Sequence, residues 1–289
     1  METNDQKPNN PHDSMVRAVF GVPEHASELL KAVLPAKLIE RLDVSAPVVR
    51  NTHFVSEKLI PSEADLLFQV RSKDGQDMLI YALIEHQSSS ARLMGYRIYC
   101  YIEDFWTTEL RQKRKEGMGA SQEELPIVFP VVLYHGDRPW NAPMEVYDLI
   151  GGNEDLKSAC GNKLPRLSYE VVDLTMMSEE EISSLLAHSA LRLCMFCLKY
   201  SRMPDRILEK LKSWGDLWNK VLRDSEVEIF RILLYYVSST SGLSDEDWQE
   251  FTDSLPTKAK EEAMTYFERL EQRGEQRGRQ EGEQKRHWL

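Results

Sequence analysis

The spacing of apolar residues divides the first half of the chain into helices and strands. Residues 16–34 carry apolar side chains at helical spacing, interrupted by GVPEH at 21–25, and this pattern predicts two short helices. Three strand candidates follow: LDVSAPVVRNTHFV at 42–55, ADLLFQV at 64–70 and MLIYALIEHQ at 78–87. The polar turn between the last two, with Asp74 and Gly75 at its centre, predicts a β-hairpin.

A long amphipathic helix and a fourth strand come next. The apolar and aromatic residues from 91 to 114 fall on one helical face. PIVFPVVLYHG, at 126–136, is an apolar run closed by a glycine and predicts a strand. The order helix, strand, strand, strand, helix, strand predicts an α/β domain in which helices flank a mixed sheet.

The second half of the chain is predicted to be mainly helical. After the short strand candidate YEVVDL at 169–174, Ser178 and Glu181 fit a capping box, and Ser244 and Asp247 resemble a second one. The tail repeats Glu, Gln, Arg and Gly. We therefore expect a disordered N-terminus at 1–11, an α/β domain at 12–150, a mainly helical region at 151–268 and a charged flexible tail at 269–289.

The net charge of −11 and the pI of about 5.3 restrict the partners of this 289-residue chain. An acidic protein is not expected to coat nucleic acid generally or to be attracted to anionic membranes. No apolar run approaches the roughly 18 residues that a membrane-spanning helix needs, and the N-terminal residues are polar. We expect a cytoplasmic protein without a membrane partner, whose four cysteines are free thiols.

The strand candidate LIYALIEHQ, at 79–87, ends in an unexpected residue. Side chains alternate between faces along a strand, and both faces of this one are apolar until Glu85. Such a strand is typical of the centre of a helix-covered sheet, where an unpaired carboxylate would cost several kcal/mol. A basic side chain, a metal ion or the open end of the sheet has to compensate this charge.

Asp65 opens the strand that pairs with this one through the hairpin. Since the start of the first strand of a hairpin lies beside the end of the second, we expect Asp65, Glu85 and Gln87 to gather at one end of the sheet. Two close carboxylates repel each other, and a hard divalent cation such as Mg²⁺ or Mn²⁺ relieves that repulsion. A cation held in this way can acidify a bound water and stabilise a phosphoryl oxygen, which is the chemistry of phosphodiester hydrolysis.

Other interpretations of these residues stay open. An ion pair between Glu85 and Arg97 of the following helix would also compensate the carboxylate. His12 and Asp13 are either site residues or the N-terminal cap of the first helix. His135 either shapes a turn or takes part in proton transfer.

Two further motifs are better explained by packing. Cys194 and Cys197 have the spacing of a metal or redox pair, but they lie in an apolar helical run without a second pair. The tyrosines of the segment 95–101 are expected mostly to cover the sheet, although with Arg97 they could clamp nucleic acid. Arg97 is the residue of this helix that we expect to contact nucleic acid.

Five segments of the chain occur in the same order in one known family. They are PHD at 11–13, ADLLFQV at 64–70, LIEHQSS at 83–89, MGYRIYCY at 94–101 and PVVLYHG at 130–136. On these segments the chain resembles the recombination-promoting nucleases, also called YhgA-like transposases, of the PD-(D/E)XK nuclease superfamily. The resemblance covers roughly the first half of the chain.

This resemblance implies a restriction-endonuclease-like core and a Mg²⁺-dependent DNA endonuclease that promotes recombination, with links to mobile elements or defence. It implies that Asp65 and Glu85 hold the cation and that the backbone carbonyl of His86 adds a ligand. Gln87 stands where the superfamily usually has lysine, and an amide orients water or phosphate but cannot accept a proton. The alternative is a catalytically weak nuclease-fold module that binds DNA or protein.

The glutamine at position 87 shifts the activation of water to the metal or to a cation from elsewhere in the chain. The candidate cations are Lys58, Arg71 and Arg97. The candidates for a further acidic ligand are Glu28 and Glu57. Because cutting both DNA strands is simplest with two sites related by symmetry, we expect a homodimer.

Overall fold

The computed structural model describes residues 11–50, 65–75, 77–85, 91–117, 124–269 and 272, and for residues 13, 65 and 77–85 it describes the backbone alone. The chain divides into two compact units, residues 1–199 and residues 200–289. The described strands all belong to the first unit. The described part of the second unit is helical.

Three helices open the first unit: α1 (Pro11–Phe20), α2 (Pro23–Val33) and α3 (Ala36–Ile39). Apolar side chains of α1 recur at helical spacing, and Met15, Val19 and Phe20 are fully buried. Pro23 begins α2 because proline lacks the N–H that the first turn of a helix leaves unbonded. The interruption at 21–25 therefore separates two helices, as predicted.

A five-stranded mixed sheet organises the first unit. In order across the sheet its strands are β1 (Leu42–Arg50), β2 (Asp65–Ser72), β3 (Asp77–Glu85), β4 (Ile127–Tyr134) and β5 (Glu170–Asp173). β1, β2 and β3 are antiparallel neighbours, whereas β3, β4 and β5 run parallel. β3 is therefore the central strand, which confirms the prediction from its two apolar faces.

The turn between β2 and β3 has the predicted hairpin geometry. Arg71 pairs with Asp77 at the end of the antiparallel ladder. Gly75 has a φ of 92°, a left-handed conformation that glycine adopts without strain. The hairpin fixes which residues of β2 and β3 stand side by side along their whole length.

The long helix α4 (Met94–Lys115) connects β3 to β4 and packs on one face of the sheet. Met94 and Ile98 belong to one core cluster with Leu67 of β2 and Tyr134 of β4. Two neighbouring parallel strands cannot be joined by a tight turn, because the chain has to return to the end of the sheet where the first strand began. A crossover helix makes this connection. The predicted helix over 91–114 is confirmed.

The segment between β4 and β5 contains three short helical pieces. They are a 3-10 helix (Val146–Leu149), α5 (Glu154–Cys160) and a second 3-10 helix (Gly161–Lys163). Asn153 caps α5, since its side-chain oxygen accepts a hydrogen bond of 2.8 Å from the N–H of Leu156. β5 then pairs with β4, so the sheet extends beyond residue 150, the domain boundary expected from the sequence.

Helix α6 (Glu179–Leu185) begins with the predicted capping box. Ser178 Oγ accepts a hydrogen bond from the N–H of Glu181, and the Glu181 carboxylate accepts one from the N–H of Ser178. The apolar run that follows is broken at residues 186–188 and resumes as α7 (Ser189–Tyr200). The sequence did not signal this break.

The second unit contains α8 (Pro204–Ser213), α9 (Gly215–Arg223), α10 (Val227–Thr240), α11 (Asp245–Ser254) and helical residues 257–269. Trp218 is fully buried, and its ring centroid lies 5.4 Å from that of Phe230 and 5.7 Å from that of Phe251. Ser244 and Asp247 form the second predicted capping box. The mainly helical C-terminal region is confirmed. Within the described ranges, no helix of either unit has the length and hydropathy to cross a membrane.

Candidate active site

The carboxyl ends of the three parallel strands lie side by side. In the strand register Glu85 of β3 pairs with Tyr134 of β4, and Tyr134 pairs with Asp173 of β5. Each of these residues is the last of its strand. In open α/β sheets ligands bind outside the carboxyl ends of the strands, so a site is expected along this row.

The first residue of β2 lies at the same end of the sheet, because β2 runs antiparallel to β3. Asp65 pairs with Leu83, and Glu85 stands two positions further along β3. Since positions alternate between faces with a period of two, Asp65 and Glu85 occupy the same face. Residues at this diagonal offset have Cα atoms roughly 7–8 Å apart. The backbone register therefore brings both positions together, as the hairpin predicts.

The face shared by these two positions is the face that α4 covers. Leu67 and Tyr134 are in phase with Asp65 and Glu85 along their strands, and both belong to the core cluster with α4. Arg97 lies in the first turn of α4 and is partly buried. The candidate site thus lies where a helix-covered face reaches the end of the sheet.

Only some of the other predicted site residues lie in the part of the chain that the structure describes. Four of them lie outside the described ranges, namely Glu57, Lys58, His86 and Gln87. Arg71 pairs with Asp77 at the opposite end of β2. Along the strand, Arg71 is about 20 Å from Asp65. This distance rules out Arg71 as the cation that assists the activation of water at Asp65.

Glu28 is engaged elsewhere. Its carboxylate accepts hydrogen bonds from the backbone N–H groups of Ala187 and His188, just before α7, and the bond from His188 is 2.9 Å long. A carboxylate at a helix N-terminus is stabilised by the helix dipole and by N–H groups that have no partner within the helix. The suggested role of Glu28 as a metal ligand is therefore replaced by a capping role.

Two histidines meet beside the strand ends. Helix α1 begins at Pro11, so His12 and Asp13 lie within its first turn and neither is the capping residue that precedes a helix. His135, the residue after β4, is fully buried, and its ring centroid lies 5.3 Å from that of His12. The structure thus places this histidine pair next to Tyr134, the last residue of β4.

Asp173 is a strand-end carboxylate outside the set predicted from the sequence. Its Oδ2 accepts a hydrogen bond of 2.8 Å from the N–H of Trp140, and its Oδ1 accepts from the N–H and hydroxyl of Thr175 at 2.9 and 2.7 Å. These bonds fasten the loop after β4 to the end of β5. The sequence contained the signal, since YEVVD, like LIYALIE, is an apolar strand that ends in a carboxylate.

The mixed sheet, the crossover helix and the carboxylate positions at the strand ends define an α/β protein with a candidate acidic site. Residues 10–228 match the family described as "Putative transposase, YhgA-like". The chain belongs to this family, and the resemblance found in its sequence is confirmed.

Three curated relatives align with most of the chain. Recombination-promoting nuclease RpnD of Escherichia coli O157:H7 is 26% identical over 268 residues, which cover 90% of this chain and 94% of the relative. Recombination-promoting nuclease RpnA of Escherichia coli K12 is 26% identical over 265 residues, covering 91% and 84%. Inactive recombination-promoting nuclease-like protein RpnE of the same strain is 28% identical over 265 residues, covering 92% and 83%. No solved structure matches the chain at a significant level.

Proposed function

We propose that the protein is a metal-dependent DNA endonuclease, a hydrolase of phosphodiester bonds that promotes recombination. The observation that carries this proposal is the register of β2 and β3, which puts the positions of Asp65 and Glu85 on one face at one end of the sheet. Relatives named recombination-promoting nucleases support it. The proposal includes a restriction-endonuclease-like core, in which the mixed sheet flanked by helices carries the two carboxylates.

The donor set fits a hard divalent cation, Mg²⁺ or Mn²⁺. Carboxylates and backbone carbonyls are the oxygen ligands that these ions prefer. Asp65, Glu85 and the backbone carbonyl of His86 would hold the ion. When bound, such an ion stabilises charge on a phosphoryl oxygen and lowers the pKa of water.

Two other residues of the proposed site bind and orient the substrate. Gln87 is two positions beyond Glu85, and its amide can donate a hydrogen bond to a phosphate oxygen or accept one from the attacking water. Because an amide does not take up a proton at neutral pH, Gln87 acts by orientation alone. Arg97, in the first turn of α4, contributes a guanidinium group that matches the geometry of phosphate.

A second candidate function is a catalytically weak nuclease-fold module that binds DNA or protein. One observation favours it: a relative that aligns with 92% of this chain is named an inactive recombination-promoting nuclease-like protein. Gln87, in the position where the superfamily usually carries lysine, favours the same function.

Cleavage of supercoiled plasmid by the purified protein separates the two candidates. We expect cleavage with Mg²⁺ or Mn²⁺ and none with EDTA. The isosteric variants Asp65→Asn and Glu85→Gln should each lose about a hundredfold or more in rate, because each removes one negative ligand of the cation. Glu170→Gln is the matched control, an exposed carboxylate at the opposite end of β5, and should cut like the wild type.

Either of two results would overturn the proposed site, and the first of them would identify the protein as a binding module. The first is that the wild type is inert with every divalent metal. The second is that the Asp65 and Glu85 variants cut at the wild-type rate. In the second case the carboxylates at the strand ends have a structural role only.

We further propose that the protein acts on DNA in the cytoplasm as a homodimer. Two copies related by a twofold axis present two sites, one for each strand of a duplex. Sedimentation with and without DNA tests this arrangement, and a monomer under both conditions contradicts it.

A further inference from the structure

The tyrosines at the start of α4 lie in two different environments. Tyr101 is 6% exposed and packs in the core cluster on the sheet, whereas Tyr96 is 55% exposed and Tyr99 is 41% exposed. The expectation that these aromatic residues cover the sheet is therefore correct for Tyr101 and wrong for the other two. Adjacent exposed aromatic rings mark a surface that a partner covers more often than isolated apolar residues do.

Tyr96 and Tyr99 are exposed on one helix face, and an exposed arginine precedes them in the chain. Residues three positions apart are neighbours on a helix, so Tyr96 and Tyr99 project from the same face of α4. Arg92, in the turn that leads into α4, is exposed and precedes Tyr96 by four positions. We call Arg92, Tyr96 and Tyr99 the tyrosine platform.

The tyrosine platform has a basic end at the start of α4 although the chain is acidic. Residues 91–102 contain Arg92 and Arg97 and no carboxylate, and exposed Glu103, four positions after Tyr99, limits the basic part of this helix face to the start of α4. Helix α4 has no acidic residue in its first turn and no side-chain cap, so the positive end of its dipole adds to the two guanidinium groups. The charge at this end of the surface complements that of phosphate.

The platform begins at the same end of the sheet as the proposed site. Met94 and Ile98, which flank Tyr96 along the helix, pack in the cluster that contains Tyr134. Tyr134 pairs with Glu85. The buried side of the first turns of α4 thus lies against the strand end next to Glu85, and the platform is the exposed side of the same turns.

The chemistry of the rings determines the kind of nucleic acid that fits. A tyrosine ring stacks on any base, because every base has a π-face. Arginine binds the phosphates of the sugar–phosphate backbone. A hydrogen bond with Cys100 raises the pKa of Tyr96, whose phenol is uncharged at neutral pH even at its ordinary pKa of about 10. In a duplex the faces of the bases are covered by their neighbours, so a surface ring stacks on unpaired bases only.

We propose that the tyrosine platform binds unpaired bases of single-stranded DNA next to the site that cuts it. This inference rests on the proposed function and names its substrate class, which is DNA with a single-stranded segment. Stacking depends little on base identity, so the platform binds any sequence and selects for strand separation.

Binding of a fluorescent oligothymidine in EDTA tests the platform without cleavage. The dissociation constant of the double variant Tyr96→Ala/Tyr99→Ala should rise about tenfold or more, because two stacked bases lose their partners. Tyr96→Phe/Tyr99→Phe keeps both rings and should bind like the wild type. Leu156→Ala removes an aliphatic side chain that is 61% exposed on α5 and should leave binding unchanged. A duplex of equal length should bind all variants alike.

Three results overturn the proposal. The first is that the wild type does not bind oligothymidine. The second is that the double alanine variant binds oligothymidine as tightly as the wild type. The third is that the double alanine variant loses as much affinity for the duplex as for the single strand. The second result, combined with a loss of self-association in sedimentation, would identify the surface as a contact between copies of the chain. Circular dichroism verifies that each variant is folded.

The binding assay and the plasmid assay test the two proposals separately, since binding is measured without metal. If plasmid is not cut and the double alanine variant loses oligothymidine binding, the platform stands and the endonuclease activity fails. If plasmid is cut as expected and the double alanine variant binds normally, only the platform fails.

Discussion

The carboxylate of Asp173 accepts a hydrogen bond of 2.8 Å from the backbone N–H of Trp140, which joins the end of β5 to the loop after β4. The same carboxylate accepts two hydrogen bonds from Thr175. The loop begins with His135, which packs against His12. One side chain therefore holds together the backbone beside the candidate site.

Replacing this carboxylate should destabilise the first unit. Asp173→Ala leaves the partly buried N–H groups of Trp140 and Thr175 without their acceptor, and we expect the free energy of unfolding to fall by about 2–3 kcal/mol. Urea unfolding followed by tryptophan fluorescence measures this change. Asp148→Ala, an exposed carboxylate in the same unit, is the control and should change the free energy by less than about 0.5 kcal/mol. Equal losses in both variants would show that other contacts hold the loop.

The pH dependence of stability should contain a contribution from His25. This side chain is fully buried, and burial lowers its pKa below the ordinary value of 6.5, although its Nδ1 lies 2.7 Å from the carbonyl oxygen of Val19. The unfolded chain therefore binds a proton more readily than the folded chain just below pH 6.5. The stability contributed by neutral His25 is present above that pH and is lost as the pH falls through the window beneath it.

The variant His25→Gln tests this contribution. Between about pH 8 and about pH 5 the wild type should lose more stability than the variant, by up to about 1.4 kcal/mol for each unit that separates the two pKa values of His25. Denaturant unfolding at a series of pH values gives both curves. The comparison uses their slopes, so a uniform loss of stability in the variant does not affect it. Parallel curves would contradict the prediction.

The four cysteines should differ strongly in reactivity. All are free, as predicted, and Cys194 and Cys197 are fully buried in α7, which confirms their packing role. Burial raises the pKa of both thiols, so little thiolate forms near neutral pH. We expect exposed Cys160 to react quickly with a maleimide, and Cys194 and Cys197 to react only in guanidinium. Mass spectrometry of peptides identifies the sites, and rapid labelling of Cys194 or Cys197 in the native protein contradicts the prediction.

Most elements of the fold were predictable because their signals are local. The capping boxes at Ser178 and Ser244 depend on residues three positions apart, and both are present in the structure. The pairing of β2 with β3 depends on one short turn around Gly75. The central place of β3 followed from the apolar character of both of its faces.

The candidate site was predictable to a smaller extent. The proximity of the Asp65 and Glu85 positions could be predicted, because a hairpin relates its two strands by a fixed register. The same register could have excluded Arg71, since the strand separates it from Asp65 by about 20 Å. Glu28 could not be interpreted from the sequence, because the N–H groups that it caps belong to residues 187 and 188, far along the chain.

Local sequence specified the order and type of the elements, the hairpin register and the strand-end position of Glu85, because each depends on residues close in the chain. Contacts between distant segments specified the rest. They placed His12 against His135, and they left Tyr99 exposed on the helix that buries Tyr101. Helical spacing gives the angle between two side chains but not which side of the helix meets the sheet, and that choice depends on how the whole core packs.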